Sequence, residues 1–236
     1  MKTVEKKNYL YIMYKCGNFL NKSVIQPVVK VSGSAFVEQV FMRIGFLIYA
    51  IIVAKLGTVQ YETHLICMNI LTISFSFGDG FAVAASALVG QNLGAERKDL
   101  ASVYGKAGQR ISFMISTVLF AVFILGRSFL VDCFTENAEI VALGANILII
   151  VALTTHMQTS QVVFNGCLRG AGDTTFVAIT SLVSVAFIRP FISWLLCFPL
   201  GLGLYGAWFG LFADQGIRFA LSAIRFYSGK WQRIKL

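Results

Sequence analysis

The sequence predicts an all-α fold, a polytopic membrane protein built as a six-transmembrane-helix bundle, on three observations. Hydrophobic residues make up 57% of the 236 residues, charged residues only 13%, and the mean hydropathy is +0.73. A soluble fold of this size needs more polar residues to cover its surface. The apolar residues fall in runs near the roughly 20 residues that a helix needs to cross a hydrocarbon core. The basic residues gather at the ends of those runs and alternate from one connection to the next, as the positive-inside rule describes.

The first run covers about Val31 to Ala54 and ends at Lys55-Leu56-Gly57. The second runs from Leu65 to Val89. The third, Ile111 to Leu125, is short for a span unless it starts near Tyr104. The fourth covers Ile140 to Phe164, the fifth Phe176 to Leu200 and the sixth Leu204 to Phe226. Six lysines (Lys2, Lys6, Lys7, Lys15, Lys22, Lys30) precede the first run. Arg97, Lys98, Lys106 and Arg110 follow the second, Arg169 follows the fourth, and Arg225, Lys230, Arg233 and Lys235 end the chain. The alternate connections hold only Lys55 and Arg127, beside Glu62, Asp132, Glu136 and Glu139. The expected topology is therefore multi-pass in the cell membrane with both ends cytoplasmic, N-in and C-in. The expected organisation is a basic cytoplasmic segment over residues 1–30, a transmembrane lobe over 31–228, and a basic tail over 229–236.

Several other readings are excluded. Continuous apolar runs do not fit the alternation of barrel strands. A net charge of +9 without a recognition motif or a basic amphipathic face does not point to nucleic acid. Cys16, Cys67, Cys133, Cys167 and Cys197 have no Cys-x-x-Cys spacing and are expected as small buried apolar residues, with neither zinc nor disulfides. No cleavable signal peptide is expected, because the lysine-rich start lacks an apolar core. Gly201-Leu202-Gly203-Leu204-Tyr205-Gly206 spells a dinucleotide fingerprint. It lies between two apolar runs rather than after a strand, so a tight helix–helix turn is expected. Gly206-x-x-x-Gly210 is expected to admit a neighbouring helix closely. Asn21-Lys22-Ser23 matches a glycosylation acceptor on the predicted cytoplasmic side, where it has no meaning.

Ionisable residues within the runs are the candidate functional groups, because charge in lipid is costly unless it faces a bundle interior or water. Glu38 and Gln39 lie in the first run with Arg43 a turn later. Glu38 has no charged neighbour at i±3 or i±4, so it can carry a proton, or with Gln39 help to ligate Na⁺. Asp79 stands between Gly78 and Gly80, where it either caps a break in the second helix or serves function. Arg189-Pro190 lies midway through the fifth run, where proline is expected to kink the helix. Arg189 either pairs with a carboxylate on a neighbouring helix or snorkels. Asp214 and Arg218, at i and i+4, are expected to form an intrahelical ion pair. His64 and His156 read as interfacial or cavity-lining groups rather than metal ligands.

Two strings between the runs resemble the connections of MATE multidrug efflux transporters. Leu88-Val89-Gly90-Gln91-Asn92-Leu93-Gly94-Ala95 is similar to the family's Gly-Gln-x-x-Gly-Ala, and Leu168-Arg169-Gly170-Ala171-Gly172-Asp173-Thr174 to its Leu-Arg-Gly-x-Gly-Asp-Thr. Glu38-Gln39, Leu56-Gly57-Thr58 and Arg189-Pro190 also fit, and the resemblance runs in order from about Val28 to the end. It covers only the C-terminal lobe, helices seven to twelve of the family's twelve. The resemblance implies that the glycines allow tight turns while Arg169 and Asp173 cap helix ends at the base of the lobe. It implies export of organic, often cationic, compounds by antiport of Na⁺ or H⁺ through alternating access, with no enzymatic chemistry and no other cofactor. Candidate coupling residues are then Glu38, Gln39, Asp79, Gln158, Arg189 and Asp214. The sequence departs from the family at Ser34, where a proline is common. It departs again at Gln158, where some sodium-coupled members are acidic, which weakens a sodium site in this lobe. The implied partners are the lipid bilayer, the small organic substrate, and either an N-terminal lobe or a second copy of this chain. The alternatives are a lipid-linked saccharide flippase of the related superfamily, which would want more cations than Arg43 and Arg189, or an inactive transporter fragment.

Overall fold

A computed structural model describes residues 39–233, and every regular element among them is helical. Helix α1 covers Gln39–Ala54 within the described range, α2 Thr58–Gly94, α3 Lys98–Leu125, α4 Arg127–Asp132 and α5 Ala138–Gly170. Helix α6 covers Thr174–Cys197, α7 Gly203–Tyr227, and a 3₁₀ turn over Lys230–Arg233 follows. Four of these, α2, α3, α5 and α6, are long and apolar enough to cross a membrane. The expected six spans are therefore not all recovered by length and apolarity. Within the described residues α1 is a shorter apolar helix. Helix α7 has 25 residues but carries Asp214, Arg218 and Arg225, charges that lower its mean hydropathy although Asp214 and Arg218 are turned inward.

The helices overrun their apolar cores. Helix α3 starts at Lys98, well before Ile111, which removes the apparent shortness of the third span. Helix α2 is unbroken from Thr58 to Gly94, so Asp79 interrupts nothing and caps nothing. Two glycines lower helix propensity, yet in lipid the backbone must satisfy its own hydrogen bonds, and the helix persists. Between α3 and α5 the short α4 intervenes, and Asn137 caps α5 by accepting from the Glu139 N–H at 3.0 Å.

Helix α5 is the central element, packed against α2, α3 and α7 and buried along most of its length. Small residues set the closest approaches. A Cβ added at Gly166 or Gly170 would run into the α2 backbone at Ala82 and Ser86. At Gly206 it would meet the Leu196 carbonyl carbon at 2.6 Å, and at Gly210 the backbone of Ser193. The Gly206–Gly210 expectation is thus met, and Gly166–Gly170 is a second contact of the same kind.

Two apolar clusters fill the lobe. One gathers Tyr49, Val53, Leu71, Phe123, Leu148, Trp208 and their neighbours. The other gathers Val89, Ala101, Phe164, Leu168, Phe226 and Trp231 around the basic end. Cys67, Cys167 and Cys197 are buried as expected, but Cys133 is exposed, because it follows α4 in a surface connection. Cys16 lies outside the described residues.

The two connections that carry the family-like strings end their helices alike. Asp173 N–H bonds the Leu168 carbonyl at 2.9 Å and Gly172 N–H bonds Arg169 at 3.0 Å, with Gly172 left-handed at φ 79°. Arg97 N–H bonds Asn92 at 2.8 Å and Glu96 N–H bonds Leu93 at 3.0 Å, with Glu96 left-handed at φ 60°. Both are Schellman closures. The left-handed residue after α2 is Glu96, while Gly94 is the last residue of the helix. Because a side chain there costs about 1 kcal/mol or somewhat more, Glu96→Gly should raise the thermal midpoint in detergent. Gly172→Ala should lower it by a similar amount, and midpoints that shift in the same direction would contradict this account.

Candidate functional site

The two apolar clusters are separated by a polar layer at mid-bundle. On α5 the run Thr154-Thr155-His156-Met157-Gln158-Thr159-Ser160-Gln161 lies between Val151 of one cluster and Val163 of the other. Helix α2 contributes Ser74, α3 Ser112 and Ser116, and α7 Asp214, Gln215, Arg218 and Ser222, all buried. Threonine hydroxyls on α5 close this layer locally: Thr154 donates to Ile150 and Thr159 to Thr155, at 2.7 and 2.9 Å. Ser222 donates to Asn165 Oδ1 at 2.8 Å, and Ser116 and His156 Nδ1 share a hydrogen bond of 2.8 Å.

The strongest interaction in the layer is ionic. The peptide N–H of Arg189 reaches the Ser184 carbonyl across a π-helical turn, Ser184–Ile188, placed just before Pro190. Proline has no N–H and its ring crowds the carbonyl four residues back, so the helix widens by one residue and continues. The expected kink is thus a π-turn. It delivers Arg189 to the interior, where Nε and Nη2 donate to Asp214 Oδ2 at 3.0 and 2.6 Å. Arg218 Nη2 donates to the same oxygen at 2.9 Å. The intrahelical Asp214–Arg218 pair is real but is half of the arrangement, and Arg189 pairs rather than snorkels. Two guanidiniums against one carboxylate leave the cluster one positive charge in excess. Phe46 and Tyr49 lie against Arg189, their ring centroids 5.0 and 5.8 Å from its Cζ, and their faces spread that charge. Tyr49 donates to the Ala207 carbonyl at 3.1 Å, and His64 packs between Tyr49 and Trp208.

Some polar atoms of the layer are buried without a partner among the described residues: Asp214 Oδ1, Arg218 Nε, Gln158 Nε2, Ser112 Oγ and both amide atoms of Gln215. Gln158 is held from the other side by Ser74, whose Oγ donates to its Oε1 at 3.3 Å.

The remaining candidates fall elsewhere. Asp79 is exposed near the middle of α2, on a stripe with Asn69, Thr72 and Ser76 that repeats at helical spacing. Gln39 is exposed on the described part of α1, and Glu38 lies outside the described residues. Gly90 packs against the Gly170 carbonyl, 3.0 Å from where its Cβ would be, so the two family-like strings meet. Gln91 and Arg169 are exposed at the ends of their helices. Asp173 makes no side-chain cap, contrary to expectation; it accepts from Arg225 Nε at 2.6 Å, tying the α5–α6 turn to α7, while Arg225 also covers Phe176. A carboxylate bonded to a guanidinium has no need of a neutral backbone donor. Sequence reasoning named Gln158, His156 and Asp79 singly but passed over the α5 layer and the α2 stripe to which they belong, although seven polar residues in eight at 154–161 were a visible signal inside an apolar run.

A protein-family model described as MatE matches residues 34–195. A probable multidrug resistance protein NorM of Thermotoga maritima is 27% identical over 231 residues, which cover 94% of this chain and 50% of that relative. A probable NorM of Agrobacterium fabrum is 30% identical over 186 residues, covering 77% of this chain and 40% of that one. Among solved structures, the crystal structure of MATE in the straight conformation is similar with a TM-score of 0.79 at 17% identity, over 89% of this chain and 47% of that chain. The chain spans about half the length of the curated relatives it matches.

Removing one partner of a buried pair strands the other, at a cost of about 3–5 kcal/mol. Asp214→Asn is therefore expected to lower the thermal midpoint of the purified chain sharply. A triple variant with Arg189→Met, Asp214→Leu and Arg218→Met should lose much less. Equal losses in the two would show that the three charges do not act as one unit.

Proposed function

The chain belongs to the MatE family, and from that premise we propose that it is one lobe of a multidrug efflux transporter, working against a second lobe across a central aqueous cavity. The carrying observation is the exposed stripe Asn69, Thr72, Ser76 and Asp79 at the middle of α2. A carboxylate at that depth facing hydrocarbon would cost at least about 2.5–3.5 kcal/mol on insertion scales. A water-filled cavity between two lobes removes that cost and presents an anion to cationic cargo. Multidrug resistance names among the relatives support this substrate class. The second lobe is supplied by a longer chain, a separate polypeptide or a second copy of this one.

In this reading both ends of the lobe face the cytoplasm, as the Lys/Arg bias supports, with residues 31–228 in the membrane between the basic segments 1–30 and 229–236. Inward movement of Na⁺ or H⁺ drives export by alternating access. Asp79 meets the substrate or ion from the cavity side, and Glu38 and Gln39 supply further polar groups from the first helix. The Arg189–Asp214–Arg218 cluster ties α6 to α7 at mid-bundle rather than meeting cargo, because its three charges are buried and paired with one another. The same pairing disfavours a flippase for anionic saccharide carriers, since Arg189 is not free to bind a phosphate.

The test is efflux of a fluorescent organic cation from cells that express this chain alone and together with an N-terminal lobe of the family. Export is expected in at least one case, and Asp79→Asn should reduce it without lowering the amount of inserted protein. Glu38→Gln should remove its dependence on the ion gradient. Correct insertion with no export under either condition would overturn the proposal, and full coupled export by both variants would remove these two residues from it.

A further inference from the structure

The face of α3 turned away from α5 carries a pair of cations that the transport reading does not use. Lys106 and Arg110 are both exposed and stand one turn apart on the same side of the helix. Like charges at this spacing repel. Among the described residues the only ion pairs are Arg189–Asp214, Arg218–Asp214 and Arg225–Asp173, so no described carboxylate lies within 4.0 Å of either cation. An outside anion seated between the two would relieve that repulsion.

Their depth says which anion. Lys106 and Arg110 are the last charged residues before α3 runs uncharged from Ile111 to Leu125. Their long side chains reach back toward the lipid headgroups from within the basic half of the helix. Two grooves of about 360 and 380 Å³ share both cations as part of their walls. The first runs along Phe113 and Met114 and is closed by Tyr227 of α7. The second runs along Val103, Ala107 and Ile111 on the other flank of the helix. Gln109 lines the first groove, and its Oε1 is buried without a hydrogen-bond partner among the described residues. Deeper along the same face, Met114 and Val118 are 67% and 63% exposed, an apolar surface suited to lipid tails.

We propose that Lys106 and Arg110 hold the phosphate of an anionic phospholipid whose two acyl chains enter the grooves on either side of α3. The phosphate takes the place that no described carboxylate fills, and the Gln109 Oε1 accepts from a headgroup hydroxyl of a lipid such as phosphatidylglycerol. Two cations at the mouth exclude an organic cation, which separates this site from the proposed transport cavity. The inference needs only that the chain spans a bilayer. It stands or falls apart from efflux.

The test is native mass spectrometry of the full purified chain, exchanged into mixed micelles with equal phosphatidylglycerol and phosphatidylcholine, counting the lipids each protein molecule retains. At about 1 kcal/mol for each basic residue near the surface, the wild-type chain should prefer the anionic lipid by roughly ten- to thirty-fold. Lys106→Gln with Arg110→Gln should abolish the preference. Arg97→Gln with Lys98→Gln removes the same charge from the same connection outside the grooves and should leave it unchanged. Equal retention of the two lipids by the wild-type chain would overturn the proposal. So would a loss as large in the Arg97/Lys98 variant, which would reduce the effect to bulk surface charge. Displacement of the lipid by glycerol phosphate at equal concentration would overturn it too, by showing that the grooves contribute nothing.

Discussion

One oxygen of Asp214 accepts from two arginines at mid-bundle, and much of the lobe is arranged around that contact. Arg189 reaches it only because Pro190 forces the π-turn that precedes it. Helices α6 and α7 can lie close enough for the pairing because Gly206 and Gly210 carry no side chain where Leu196 and Ser193 pass. Helix α1 is drawn in as well, since Tyr49 and Phe46 cover the guanidinium. The ion pair by itself is weak support for net stability, given what it costs to take three charges out of water. Its effect is on specificity: a slipped α6 or α7 would strand charges in a place without water. The glycines, the π-turn and the aromatic cover are therefore best understood together.

The layering of the interior follows the same logic. In a soluble protein the polar surface encloses an apolar core. Here the outward faces are largely apolar, and hydroxyls, amides and charges gather in a band between two apolar clusters. Residues of this kind survive inside a membrane bundle when they bond one another or the backbone, as the α5 threonines do. The atoms of that band that lack partners among the described residues are on α3, α5 and α7. The lobe thus has polar groups of two sorts, a bonded interior that holds helices in register and an open stripe available to something outside.

Its outer surface is equally divided. Along α2 a polar stripe is exposed at mid-depth beside Ile73 and Phe77, along α3 the exposed side is apolar below a pair of cations, and the groove between α1 and α6 is lined by Ile48, Ile51, Phe187 and Phe191. These surfaces ask for different neighbours: water or a second lobe, a lipid with its headgroup, and lipid tails. A bundle with such unlike faces has a defined orientation toward its surroundings, which a free-standing helical bundle surrounded evenly by lipid would not need.

The all-α membrane character was legible from composition alone, because lipid admits only helices or closed barrels and the runs do not alternate. So was the family, since Gly90-Gln91 and Arg169-Gly170-Ala171-Gly172-Asp173 stand in a fixed order between helices. Hydropathy placed the helices but not their ends: α3 extends through Arg110 and Lys106 because long basic side chains reach the interface from within a helix. What only the tertiary structure decided is which neighbour each polar residue meets. Asp214 sees Arg218 at i+4 in any helix, but it sees Arg189 only after α6 widens and crosses α7 at two glycines. Asp79 and Gln158 look alike as polar residues in apolar runs, yet one is exposed and the other wholly buried, because side-chain direction around a helix acquires meaning only once the neighbouring helices are in place. The sequence by itself determined the kind of molecule and its elements; packing decided which of its charges are structural and which are left to act.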